Sequence, residues 1–156
     1  MSDEQNSNFT GSFKQFLEKL QSGEISGSWS VSLESYKGKY LSASTEGDAK
    51  WDQDQAGENE WFKIEPKGDY KIALKSRHLM YLSAKADKDR TVRCDEHEAG
   101  ASEIWTVDDT GDSGITLKSC LGKYLRQKKE GEVAAKHNDV TDKETFTVAW
   151  KNKEEK

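Results

Sequence analysis

The sequence predicts an all-β fold made from three copies of one four-stranded unit, preceded by a short amphipathic helix. Three observations carry this. A segment rich in alternating apolar residues recurs three times at intervals of about 40 residues. Each copy ends on a similar aromatic-containing strand. A single stretch near the N-terminus switches to helical spacing.

The repeat is plainest in VSLESYKGKYLSAS from Val31, IALKSRHLMYLSAK from Ile72 and ITLKSCLGKYLRQK from Ile115. Val31, Ile72 and Ile115 correspond at offsets of 41 and 43, as do Leu33, Leu74 and Leu117, then Ser35, Ser76 and Ser119, then Tyr40, Tyr81 and Tyr124. The copies close on ENEWFKI, ASEIWTV and DKETFTV, which align Phe62 with Trp105 and Phe146 at offsets of 43 and 41. The exchanged offsets place two extra residues in the second copy, in its Ala84–Arg90 loop. Between the matched ends lie Ala49–Trp51, Val92–Cys94 and Val133–Ala135.

Alternation of apolar and polar residues turns one face of a strand inward. Copy one has four such segments, at Val31–Leu33, Tyr40–Leu41, Ala49–Trp51 and Phe62–Ile64, separated by turn residues such as Lys37-Gly38 and Glu46-Gly47-Asp48. Three copies make twelve strands. A three-bladed propeller falls below the usual blade number. A β-trefoil, a six-stranded barrel capped by three hairpins, fits the count. Leu33, Leu74, Leu117, Phe62, Trp105 and Phe146 are then core. The expected divisions are an extension with the helix over 1–27, a trefoil over 28–150 with repeats at about 28–68, 69–111 and 112–150, and a charged tail over 151–156.

In the extension, Phe13, Phe16, Leu17 and Leu20 share one helix face. Ser12 with Gln15 reads as a capping box and Gly23 as the stop. So short a helix needs a docking surface. Its own trefoil is the first expectation. A homodimer or partner contact through this face is the alternative.

Composition bounds the function. The 156 residues are 33% hydrophobic and 10% aromatic, with five tryptophans, which suffices for one packed domain. No apolar run is long enough for a membrane span. The polar, acidic start has no signal-peptide pattern. A cytoplasmic location follows as the expectation, with Cys94 and Cys120 as thiols. The net charge of −5 argues against nucleic acid as partner. There is no nucleophile elbow, Walker loop or HExxH, and His97 and His137 are not spaced with the cysteines for a metal. The expectation is therefore a binding module and not an enzyme, with no cofactor and no metal.

Gly38–Ala43 (GKYLSA), Met80–Ala84 (MYLSA) and Gly122–Leu125 (GKYL), each after a Leu-x-Ser segment and before a strand such as Ile104–Val107, resemble the signature of fascin-type trefoils. The resemblance covers roughly 28–150. It implies an actin-binding, non-catalytic module of the cytoskeleton, with F-actin as partner and filament bundling as a further expectation. With only three histidines, the chain departs from the histidine-rich single-trefoil relatives that also bind membranes. A sugar-binding lectin, with Trp51 or Trp61 stacking on a sugar ring, and a scaffold for another protein remain alternatives. The Gln-x-Trp motif of ricin-type trefoils is missing.

Charge points to where a partner would dock. Val31–Glu60 contains three basic and seven acidic residues. Ile115–His137 contains six basic residues (Lys118, Lys123, Arg126, Lys128, Lys129, Lys136) against Glu130 and Glu132. Such polarity suits an acidic partner. A second expectation, from symmetry, is a basic rim of Lys37, Lys39, Arg77, His78 and Lys123 on the three equivalent turns.

Overall fold

The twelve expected strands form, each with its apolar residues turned inward. The computed structural model describes residues 12–88, 90–110, 114–128 and 131–152. The strands are β1 (Trp29–Glu34), β2 (Tyr40–Ala43), β3 (Ala49–Gln53), β4 (Phe62–Gly68), β5 (Lys71–Lys75), β6 (Tyr81–Ala84), β7 (Val92–Glu96), β8 (Trp105–Asp109), β9 (Gly114–Lys118), β10 (Tyr124–Gln127), β11 (Val133–His137) and β12 (Phe146–Asn152). Antiparallel pairing of β1 with β4, β4 with β5, β5 with β8, β8 with β9, β9 with β12 and β12 with β1 closes a six-stranded barrel. Closure leaves no barrel edge open. The pairs β2–β3, β6–β7 and β10–β11 are the three capping hairpins. The fold is a β-trefoil.

Registers repeat with the sequence. Leu33 faces Val148, Leu74 faces Ile64 and Leu117 faces Val107 across the barrel pairs, and all six are buried. Each hairpin shifts register at the same place, after Tyr40, Tyr81 and Tyr124. The second hairpin has the longer loop, as the offsets require: β6 ends at Ala84 and β7 starts at Val92, whereas β2 and β3 are separated only by 44–48.

The hairpins lock together around the pseudo-threefold axis. Cys94 N–H donates to Gly47 O at 2.9 Å, and Ala135 N–H donates to Arg90 O at 2.9 Å. Gly131 lies so close to the next hairpin that an added Cβ would come within 2.7 Å of Trp51 O. Trp51 is buried and stacks on Phe146, with ring centroids 4.8 Å apart and planes 6° from parallel. That removes Trp51 as an exposed sugar platform: its position between the hairpins turns it into the core. Trp61 is half-buried, with Lys151 Nζ 4.1 Å above its ring.

Helix α1 runs Phe13–Ser22. Ser12 Oγ accepts from Gln15 N–H, Gln15 Oε1 accepts from Ser12 N–H, and Gly23 ends the helix at φ 87°. Phe13, Phe16 and Leu17 are buried and Leu20 packs partly against the core. Phe16 stacks on Trp150 at 5.0 Å and meets Trp29 edge-on at 5.1 Å. Gly68 N–H donates to Gln21 Oε1 at 3.0 Å, and Tyr70 Oη–H donates to Glu18. The apolar face thus packs on the chain's own trefoil, the first of the two expectations.

Candidate functional site

Surface chemistry differs most among the three turns that join barrel to hairpin, over 35–39, 76–80 and 119–123. Their backbone hydrogen bonds correspond one for one. Ser35, Ser76 and Ser119 each donate N–H to the carbonyl four residues on, at 2.8 Å, and accept N–H from Gly38, Leu79 and Gly122 at 2.9, 3.0 and 2.9 Å. The serine hydroxyls accept a further turn N–H, from Lys37, His78 and Leu121. Three of the four exposed large hydrophobics among the described residues lie on these turns: Tyr36, Leu79 and Leu121.

The cations on the turns are held differently. Lys39 forms an ion pair with Asp54. Arg77 pairs with Glu58 at 2.5 Å. Lys123 occupies the place of Lys39, but its Nζ donates to Asn138 Oδ1 at 2.7 Å. The paired registers Tyr40–Gln53 and Tyr124–His137 make Asn138 the counterpart of Asp54 and Lys136 the counterpart of Asp52. The third repeat therefore lacks the carboxylate that pairs with the first repeat's lysine, and carries the exposed Lys136 where the first repeat has Asp52. Lys123 keeps its charge uncompensated by that bond. Lys118 is exposed, with Nζ 5.6 Å from the Tyr124 ring centroid.

The other expected cations are held to different degrees. Arg126 Nη1 donates to Glu144 Oε2 at 3.1 Å, and its side chain is only 22% exposed. Lys128 lies 3.9 Å from Glu132 and lines a cleft of about 390 Å³ where the three hairpins meet. Lys37 is exposed, with Nζ 5.8 Å from the Tyr36 ring centroid. His78 is half-buried. Each of the three turns thus has a pairing of its own, Lys39 with Asp54, Arg77 with Glu58 and Lys123 with Asn138. Lys129 lies outside the described residues.

Glu144 belongs to a threefold set. Glu60, Glu103 and Glu144 are buried, and each accepts at 2.7 Å the N–H of the residue three before it, Gly57, Gly100 and Thr141. Ser83 Oγ–H donates to the other oxygen of Glu103 at 2.5 Å. Arg126 takes the place of Ser83 in the third repeat. Burial pushes the Glu144 carboxyl up, but the Thr141 hydroxyl and N–H and the Arg126 guanidinium outweigh it and hold the group below the usual range. Cys94 is buried and its thiol is pushed up to about 12, chiefly by desolvation, so it is inert at neutral pH; Cys120 is exposed.

The model of the fascin domain matches residues 17–107, more than half of the chain. The chain belongs to the fascin domain family. A second trefoil family, the FRG1-like domain, matches 93–155, across the end of the second repeat and the whole of the third. Among solved structures, the designed threefold-symmetric protein ThreeFoil superposes with a TM-score of 0.70 at 19% identity, covering 77% of this chain and 97% of that one. That likeness concerns fold alone. No curated protein matches the chain.

Two features of this fascin domain escape a reading of charge and periodicity. One is the buried glutamate set, visible in the aligned segments only as a Glu two residues before each barrel strand. The other is Leu79, which stands where the aligned turns have Gly38 and Gly122. The backbone there is left-handed in all three, at φ +77°, +67° and +78°. For leucine that conformation costs roughly 1–2 kcal/mol.

Proposed function

We propose that this fascin domain is a non-catalytic actin-filament-binding module of the cytoplasmic cytoskeleton that docks through the cationic face of its third repeat. The observation that carries the reading is the replacement of the Lys39–Asp54 ion pair by the Lys123–Asn138 bond. It leaves Lys118, Lys123 and Lys136 as a group of cations on a chain whose first repeat is strongly acidic. Actin filaments are acidic, and complementary fields steer encounter and orient the partner. Family membership supports the same choice of partner. The face uses rigid strand ends and a turn fixed by backbone hydrogen bonds, so little ordering accompanies docking.

Bundling needs two contacts on one particle. The third-repeat face is one of them. Co-sedimentation of the purified chain with F-actin tests the reading: pelleting at high speed is expected, and pelleting at low speed reports bundles. A chain left in the supernatant at both speeds, at low ionic strength, overturns it.

A further inference from the structure

The β5–β6 turn breaks the threefold pattern in a way the fold does not require. Its hydrogen bonds match those of the other two turns, so the backbone is imposed by the strand ends and not by the residue at the tip. The other repeats answer that demand with Gly38 and Gly122, which tolerate positive φ, while Leu79 takes φ +67°. Leu79 is also 62% exposed, more than any other large hydrophobic among the described residues. Burial therefore offsets little of its backbone strain. Glycine would serve the fold at least as well. An outlier of this kind points to function.

The charge around the tip is equally unlike that of the first repeat. Lys75 stands in the place of Glu34, whose Oε2 would lie 3.8 Å from a Cβ added to Gly38. Lys63 on β4 is the cross-strand partner of Lys75. Like charges directly opposite each other are unfavourable in a sheet. Arg77 is exposed, and its pair with Glu58 is between exposed groups that exchange partners at little cost. Leu79 thus tips a turn whose strand end carries Lys75, with Lys63 opposite it on β4, and whose own Arg77 pairs with Glu58; an apolar tip with such polar neighbours has the layout of an interface anchor.

We propose that Leu79 is the apolar anchor of a second protein contact, which fits an apolar recess on the acidic surface of the actin filament. This rests on the filament-binding reading above. The Leu79 turn and the Lys123 turn are related by the pseudo-threefold axis, so the two contacts face different directions from one small body. That is the arrangement cross-linking requires.

The test compares the wild-type chain with Leu79→Gly in F-actin co-sedimentation and in thermal melting. The variant keeps high-speed pelleting through the third repeat, loses low-speed pelleting at least tenfold, and melts at or above the wild-type midpoint because the left-handed strain is relieved. Loss of bundling without loss of stability is the signature that a merely structural leucine cannot give. Lys63→Glu with Lys75→Glu, which leaves the tip intact, is expected to reduce low-speed pelleting in the same way. Equal bundling by wild type and Leu79→Gly overturns the inference and leaves the filament reading standing. So does a midpoint for Leu79→Gly well below wild type, or a wild type that binds filaments without bundling them. A wild type that self-associates through Leu79 without actin reassigns the contact to a second copy and overturns it too. No pelleting of the wild type at either speed removes both readings.

Discussion

Arg126 donates from Nη1 to Glu144 Oε2 at 3.1 Å, and Glu144 is fully buried. This pair ties β10 to the 3-10 turn that precedes β12 and so closes the third repeat. Removing the arginine leaves a buried carboxylate held only by Thr141, a loss of about 1–3 kcal/mol once the partial exposure of Arg126 is allowed for. Arg126→Ala is expected to lower the melting midpoint by several degrees at pH 7. The pH dependence has a definite sign. The folded carboxyl sits below its unfolded value, so its contribution is present above about pH 4.3 and is lost as pH falls through the folded value. The gap between wild type and Arg126→Ala is therefore largest at neutral pH and narrows in acid. Melting curves at pH 7 and pH 3.5 check this, and a gap that widens in acid would refute it.

Phe16 lies between Trp150 and Trp29 and is fully buried. It gives the helix its attachment to the barrel, since a ten-residue helix is marginal alone. Phe16→Ala is expected to cost about 3–5 kcal/mol, read as a drop in midpoint together with a change in tryptophan emission as Trp150 and Trp29 meet water. Because the face is covered within one chain, that midpoint should not vary with protein concentration. A concentration-dependent midpoint would show that two chains share the face.

The threefold scaffold was legible because burial acts at a fixed period. Leu33, Leu74 and Leu117 occupy one environment three times, and the exchanged offsets even placed the longer hairpin loop. The helix was legible because its caps and its apolar spacing agree. The site was less so, because a charge count does not say which charges already have partners. Arg126 counts as a free cation in the sequence, yet its partner lies 18 residues away and is buried. Lys123 and Lys39 look alike until the register sets Asn138 against one and Asp54 against the other. Leu79 went unread for a related reason. What sets it apart is the backbone angle, which alignment hints at only through the glycines on either side of it in the repeat series.

The third-repeat face offers a test that separates charge from structure. Lys118, Lys123 and Lys136 have their ammonium groups outside the core, and none of the three pairs with a carboxylate in the ion pairs of the described residues. Reversing one exposed charge changes an interaction by roughly 0–1 kcal/mol, so single variants should bind filaments almost normally. Lys118→Glu, Lys123→Glu and Lys136→Glu together alter the local charge by six units and should abolish low-speed pelleting and sharply reduce high-speed pelleting, leaving only what the Leu79 contact retains. The melting midpoint should stay within a few degrees of wild type, because no core contact is lost. Arg126 is left intact in this variant, since reversing it would confuse loss of binding with loss of fold. Exposed charges are screened over about 8 Å at physiological ionic strength, so wild-type binding should weaken steeply between 50 and roughly 300 mM salt. Binding by the triple variant at wild-type strength, or wild-type binding indifferent to salt, would move the filament contact away from the third repeat.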